Sequence, residues 1–356
     1  MSIRRIARLT KLSPATVSLA LRDHPRISGA TRSRVHAMAL RCGYSLDPKV
    51  TQLMRVVRRT SDEKNRECLG VISLYDDPRP WLGSLHLAQI YEGMERRAEK
   101  LGYRLEPMWL RAPGMTPARF RGILDARGIE GLLCFGSPAV DDTLPGEFDH
   151  YAIVAQGMSM KTSVHRVVSN AYGDMLGVLN RLHALGYRRP GLWVSEYEHI
   201  RGVYAHLSGY LGWCHHHLDA RQAVPVLRTT ELDESQIMHW VRENHPDVII
   251  SVQRQEEVAG LCSILRRNKI EIPSDIGVVG ICQLVDDPGL AGLAENQHLI
   301  GACAVELLAS RVMTRDFGVP ARPRVEMVDG IWQNGATLRN GGASAAWSES
   351  AKERST

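Results

Sequence analysis

Apolar positions recur at helical spacing from the start of the chain. Ile3, Ile6, Ala7 and Leu9 mark one short helix, with Ser2 placed to cap it. Thr10-Lys11-Leu12 interrupts it. Ser13-Pro14 then starts a second helix: serine accepts a bond from the first free N–H groups, and proline at the first helical position has no N–H to leave unpaired. This helix is expected to run to about Arg22, with Val17, Ala20 and Leu21 inward and Ala15, Leu19 and Arg22 outward. Asp23-His24-Pro25 reads as a turn. Ser28 caps a third helix whose Val35, Met38 and Ala39 close a small core, and Gly43 supplies a left-handed stop. Asp47-Pro48 repeats the cap-plus-proline signal ahead of a short basic helix, Lys49 to Arg59, and Thr60 to Glu67 is a polar linker.

From Cys68 the grammar changes to alternating strand and helix. Leu69–Leu74, Arg104–Leu110, Gly131–Phe135 and Tyr151–Val154 read as strands, with helices over Gln89–Tyr103 and Pro117–Ala126 between them. After Val164 the pattern resumes. Asn170–Tyr187 reads as helix, Gly191–Ser195 as strand, Gly202–Leu218 as helix, Val248–Val252 as strand, Glu256–Arg267 as helix and Gly277–Ile281 as strand. Ile300–Val312 is helix, and Arg324–Val328 and Gly330–Trp332 are short strands. Such alternation argues for parallel sheets covered by helices.

Charge divides the chain at the same place. Residues 1–66 carry fifteen Lys/Arg against four Asp/Glu, a net of +11, whereas residues 67–356 carry 29 against 35, a net of −6. A basic segment built of helix signals, not of a low-complexity tail, points to a polyanion partner. Two short helices joined by a tight turn and braced by a third form a helix-turn-helix head. Its second helix enters the major groove of double-stranded DNA with its N-terminal residues at base edges. On that geometry Pro14, Ala15, Ser18 and Leu19 face bases, while Ser13, Thr16 and Arg26 suit phosphates. An ordinary three-helix bundle has the same pattern; the charge and the exposed Ala/Leu face favour DNA.

These residues resemble a known family. Ile3, Ile6, Ala7, Ser13, Ala15, Thr16, Val17, Ser18, Ala20 and Leu21, then Arg26, Ile27, Ser28, Thr31, Arg32, Arg34, Val35, Gly43 and Tyr44, match the head of the lac repressor (LacI/GalR) family of bacterial transcription regulators. The resemblance implies a repressor that binds a pseudo-palindromic operator as a homodimer. It further implies a C-terminal α/β core of two Rossmann-like lobes of the periplasmic-binding-protein type, crossed about three times by the chain, with an effector in the inter-lobe cleft. The expected organisation is a DNA-binding head over 1–46, a hinge helix and linker over 47–66, the two-lobe effector-binding and dimerisation core over 67–339, and a disordered Gly/Ser/Ala-rich tail over 340–356. One departure matters: the family's arginine after Val-Ser is Leu19 here. Leucine meets apolar groups such as a thymine methyl and cannot read guanine bidentately. Arg22, one turn on, is the alternative basic contact. By register from Tyr44, the family's minor-groove leucine is Leu53, an apolar wedge that unstacks a base step.

Three family sugar-gripping positions also change together: His206 stands for arginine, Arg254-Gln255 for Asn-Asp, and Cys282 for aspartate. Asp77 and Trp81 follow the first strand, where the family places ligand contacts, although a lid or dimer role suits Trp81 equally. Cysteine is a poor partner for hydroxyl pairs and Arg254 favours an anionic group. The effector is therefore an anionic metabolite, an atypical sugar, or absent. In the last case the chain is a DNA-binding regulator without a small-molecule switch.

Other chemistry is weak. Consecutive Cys214-His215-His216-His217 point different ways on a helix and do not make a metal site. Ser195 lacks a nucleophile elbow, and phosphate loops are absent, so no enzyme and no cofactor are expected. Seven scattered cysteines without a C-x-x-C pair fit a reducing cytoplasm. The N-terminus has no apolar signal region and no apolar run is long enough to span a membrane. The tail has no leucine heptad, so a dimer is expected over a tetramer.

Overall fold

The Ser13-Pro14 start signal operates as the sequence implies. A computed structural model of the chain describes residues 3–21, 27–42, 67–139, 142–144, 148–219, 221–281 and 289–339. It divides into two compact units, Met1–Arg66 and Glu67–Thr356. In the first, α1 (Ile3–Thr10), α2 (Pro14–Ala20) and α3 (Gly29–Arg41) pack on one another. Lys11 ends α1 with φ 52°, and Arg34 of α3 donates to the Thr10 carbonyl at 3.4 Å, serving one orphan acceptor of that helix end. The Ser13 hydroxyl accepts from Thr16 N at 3.0 Å, and Ser28 repeats the device on Thr31 N at 3.3 Å. Ile6, Ala7, Val17, Ala20, Val35 and Ala39 are buried between the helices, with Leu12, Leu21, Ile27 and Met38 packed around them. The second helix stops at Ala20 instead of reaching Arg22.

The larger unit is built of two parallel sheets. The first contains β1 (Glu67–Ser73), β2 (Tyr103–Trp109), β3 (Gly131–Cys134), β4 (Ala152–Gln156), β5 (His165–Ser169) and β11 (Val325–Val328). The second contains β6 (Pro190–Ser195), β7 (Leu227–Thr229), β8 (Val248–Val252), β9 (Gly277–Ile281), β10 (Ala291–Ala294) and β12 (Ile331–Gln333). Among the described residues the orders are β11-β5-β4-β3-β1-β2 and β12-β10-β9-β8-β6-β7, with β12 the antiparallel strand. Helices α4 (Leu85–Leu101), α5 (Pro117–Ala126) and α11 (Gln297–Thr314) cover the first sheet. Helices α6 (Ala171–Ala184), α8 (Ala205–His217), α9 (Glu234–Asn244) and α10 (Gln255–Arg267) cover the second.

Each sheet separates two cores by the alternation of its strands. In β1, Leu69 and Val71 pack with Ile90 and Met94 of α4 and Ile300 and Ala304 of α11. Cys68 and Ile72 point the other way, toward Phe120 and Leu124 of α5. In β8, Val248, Ile250 and Val252 face α6 and α8, and Ile249 faces α9 and α10. A Cβ on Gly301 would lie 2.1 Å from the Ile90 carbonyl oxygen, and one on Gly93 the same distance from that of His298. The two helices thus touch backbone to backbone.

Among the described residues the chain passes between sheets three times: from β5 into α6, from β10 into α11, and from β11 into β12. Each lobe is therefore discontinuous in sequence, as the resemblance implies. Several boundaries differ from expectation. The helix expected from Gln89 begins at Leu85, because Ser84 accepts from Leu87 N at 3.4 Å and caps it there. The helix expected from Gly202 begins at Ala205: Val203 and Tyr204 have φ 51° and 60°, which breaks it from a separate short helix, α7 (Glu196–Arg201). Strands β5, β7 and β10 and helix α9 were not expected at all.

Candidate functional site: the head and the inter-lobe cleft

In the head, the exposed start of α2 is formed by Ser13 and Pro14, with Thr16 and Leu19 half-buried behind them. The Ser13 hydroxyl also lies 2.8 Å from that of Thr16, so the two proposed phosphate contacts hold each other. Ala15 and Ser18 lie in α2, but their side chains are outside the described residues, as are Arg22, Arg26, the whole hinge including Leu53, and the tail from Asn340. The geometry available to α2 is that of a short helix whose N-terminal turn stands clear of its own three-helix core.

In an open parallel sheet, ligands bind beyond the carboxyl ends of strands where the strand order reverses. Those points are β1/β3 in one lobe and β6/β8 in the other. Beyond β3, the turn Gly136-Ser137-Pro138 crosses to the other lobe: the Tyr197 hydroxyl donates to the Pro138 carbonyl, and Arg201 Nη2 donates to the Ser137 carbonyl at 3.3 Å. Both donors come from α7, which follows β6 directly. The Arg201 guanidinium lies over the Tyr197 ring, 5.1 Å from its centre. This bridge had no periodic signal in the sequence, since a six-residue helix is too short to show one.

Buried polar side chains gather at the same ends. Ser73 donates to the Asp77 carbonyl at 2.8 Å, and the buried Ser137 hydroxyl donates to the Asp142 carboxylate. That carboxylate also receives Arg111. In the second lobe Gln253, 4% exposed, closes the end of β8. Oriented to fit its neighbours, its amide nitrogen donates to Glu257 at 3.1 Å and its oxygen accepts from Ser195 N at 2.9 Å. Trp193 Nε1 donates to Thr229 at 2.8 Å, tying β6 to β7. These bonds tie down the carboxyl ends of strands in both lobes.

The five residues expected to hold an effector have mixed positions. Asp77 is exposed beyond β1, and its carboxylate accepts from Arg79 N at 2.8 Å, which spends it on its own turn. Trp81 is 7% exposed and stacks on Tyr91 with ring centres 4.2 Å apart, beside Phe135 at 5.4 Å. It belongs to the lobe core rather than to an open wall. Arg254 is exposed at the end of β8, where its backbone N–H bonds Glu257 and starts α10. His206 is half-buried in the first turn of α8, and Cys282 lies outside the described residues. The Gly-Tyr pair that follows His206 is structural. A Cβ on Gly209 would meet Tyr172 O and Met175 Cβ at 3.1 Å, and the buried Tyr210 hydroxyl lies 2.8 Å from the Pro190 carbonyl. Burial raises the Tyr210 pKa far above the ordinary phenol range.

Among the described residues no helix is long and apolar enough to cross a membrane, and no group of three His, Cys, Asp or Glu could hold a metal ion.

The family model "Bacterial regulatory proteins, lacI family" matches residues 2–46, and that of the periplasmic binding protein-like domain matches residues 179–331. The HTH-type transcriptional repressor CytR of Escherichia coli (strain K12) is 22% identical over 330 residues, 90% of this chain and 92% of that protein. In fold, the chain is similar to the lac repressor dimer solved with operator and the anti-inducer ONPF: TM-score 0.56, 16% identity, 95% of this chain and 99% of that one. It is also similar to the transcriptional regulator CelR in its cellobiose complex: TM-score 0.54, 16% identity, 95% and 99% coverage. A capped, basic three-helix head joined to two discontinuous parallel-sheet lobes, with a family match in each part, leads to one conclusion: the chain couples a head matching the lacI family of bacterial regulatory proteins to a periplasmic binding protein-like body.

Proposed function

We propose that this chain is a DNA-binding transcriptional repressor that reads a pseudo-palindromic operator as a homodimer and responds to a small molecule in the inter-lobe cleft. The observation that carries it is the head. A helix capped by Ser13, with an exposed first turn, sits in a segment of net charge +11. One recognition helix offers too few base contacts alone, so two copies supply affinity and register. Pro14, Ala15, Ser18 and Leu19 read base edges; Ser13, Thr16 and Arg26 meet phosphates; Arg22 supplies the basic contact that Leu19 does not; Leu53 wedges the minor groove. Arginine and lysine contacts to phosphates make the affinity steeply salt-dependent.

Effector control works by population shift: a ligand must bind one lobe arrangement better than another. The bridge from α7 to the Ser137-Pro138 turn spans the cleft, so a ligand there competes with it or reinforces it. Asp77, Trp81, His206, Arg254 and Cys282 remain candidate contacts, and His206, Arg254 and Cys282 favour an anionic metabolite or an atypical sugar over a simple neutral sugar. The CelR structure holds cellobiose, which that pattern does not favour here.

The test is selection of bound DNA from a random pool by the full-length protein, followed by a metabolite screen for release. Two related half-sites about one helical turn apart support the dimeric reading. A pool without enriched sequence overturns it. A second reading, regulation without a small-molecule switch, is favoured by the joint change at His206, Arg254 and Cys282. Stabilisation in a thermal-shift panel decides against it.

A further inference from the structure

The three passages between lobes converge on one buried carboxyl. Asp174, in the first turn of α6, is 6% exposed, and its Oδ1 accepts from Gly330 N at 3.0 Å. Gly330 lies in the third passage and Asp174 follows the first. Asn170 closes the same junction: its Oδ1 accepts from Gly173 N at 3.2 Å and its Nδ2 donates to Asp329 at 2.8 Å. From the second passage, Gln297, 2% exposed, donates to the Glu295 carboxylate. There is no slack here. A Cβ on Gly330 would lie 1.9 Å from Leu293 Cδ2, and one on Gly173 would lie 2.4 Å from the Asn170 amide.

The groups whose charge raises the Asp174 pKa are Glu295 and Asp329, one from each of the other two passages. β10, against which Gly330 is pressed, carries no titratable side chain. Helix α8 meets α6 through Gly209 against Tyr172 O and Met175; the nearest titratable residues along α8 are the buried Tyr210, next to Gly209, whose phenol is kept neutral by burial, and His206, one turn earlier. Burial above all, aided by the two carboxylates and opposed by the Gly330 N–H bond, pushes the Asp174 carboxyl up to about 6.

We propose that this junction is a proton-linked hinge: protonation of Asp174 favours the tight arrangement of the three passages, and its ionisation favours a looser one that admits water. Three carboxylates meet there when Asp174 is charged. When protonated, it still accepts from Gly330 N and gains an O–H to donate. The sign follows from the raised value. A looser, wetter junction lets the carboxyl return toward its ordinary pKa. The tight arrangement is therefore favoured fully below that ordinary value, and the advantage is lost as pH rises through about 6. Each unit of pKa difference between the two arrangements changes their ratio about tenfold.

Hydrogen exchange of the full-length protein, read by mass spectrometry without DNA or effector, tests this independently of the repressor reading. Peptides covering 169–175, 294–298 and 328–331 are followed from pH 5 to 8 after correction for intrinsic exchange. The expected result is a tenfold or larger loss of protection in all three through about pH 6. Asp174→Asn, fixed neutral, should keep high protection at every pH. Glu295→Gln, which removes one neighbouring charge and retains a partner for Gln297, should move the midpoint down. A flat wild-type profile, an Asp174→Asn profile that matches wild type, or a midpoint unmoved by Glu295→Gln overturns the proposal. The last of these stands even where Asp174→Asn does not fold.

Discussion

The backbone contact between α4 and α11 allows one substitution to be predicted with opposite signs at different sites. In Gly301→Ala the new Cβ would sit 2.1 Å from Ile90 O and 2.9 Å from Met94 N, where real contacts stay above 3.0 Å. Both neighbours are backbone, so no side chain can swing away and the helices must part by roughly an ångström. Ile90, Met94, Ile300, Ala304 and Val305 are buried between them and the sheet and lose contact with one another. Overpacking of this kind costs about 1–3 kcal/mol. Alanine's better helix propensity returns about 1 kcal/mol. With a rigid receiving surface the cost lies at its upper end, for a net loss of about 2 kcal/mol. Gly93→Ala, facing His298 O at 2.1 Å, should behave alike. One parting of the helices serves both, so the double variant should lose at least about 1 kcal/mol less than the sum. Gly122→Ala, Gly177→Ala and Gly212→Ala meet nothing within 4 Å on exposed helix faces and should stabilise by about 0.5–1 kcal/mol. Urea unfolding of the full-length chain, followed by circular dichroism, ranks the set. If Gly301→Ala moves the midpoint in the same direction as Gly122→Ala, the backbone contact is not what the geometry says.

Further expectations follow from the head and the second lobe. Leu19→Arg should shift selected operators toward guanine at one position in each half-site, with about 1–3 kcal/mol of new discrimination; an unchanged selected sequence would place Leu19 away from the bases. Leu53→Ala should lower both operator bending and affinity, and if a circular-permutation gel shows neither change, the minor-groove wedge is misassigned. Tyr210→Phe leaves the Pro190 and Val224 carbonyls, now 2.8 and 3.2 Å from the hydroxyl, without that donor. It should cost about 1–3 kcal/mol in unfolding experiments, and a neutral result would mean that water serves both.

The head was legible because its signals are local. A serine before proline, a serine three residues before threonine, and apolar spacing act within one turn of chain. Strands β8 and β9 were legible for a similar reason, since Val248–Val252 and Gly277–Ile281 are apolar runs buried on both faces. Strand β10 was not. Its sequence, Ala-Gly-Leu-Ala, has no β-branched residue, and what holds it in the sheet is distant. Cβ atoms on Gly335 and Gly330 would lie 2.2 Å from Ala291 N and 1.9 Å from Leu293, so two later stretches of chain press on this strand through glycines. The packing of Trp81 was hidden for another reason. Its place after β1 allows a ligand contact and a lid or dimer role equally, and the stacking partner that covers its face, Tyr91, comes ten residues on from α4. The α7 bridge depends on a left-handed pair, Val203 and Tyr204, at residues that rarely adopt it. No sequence rule marks that break.

The threefold passage of the chain between lobes also constrains how such a gene can be shortened. A break anywhere from about residue 170 to 324 removes β11 from the first sheet and β12 from the second, and before 297 it also removes α11 from the first lobe's core. No single truncation within the body leaves one lobe complete and the other missing. The seam at Arg66/Glu67 has no such entanglement, because no strand pairing crosses it among the described residues. Exchange of heads between proteins of this design is therefore a one-cut recombination, whereas exchange of a single lobe requires three coordinated junctions.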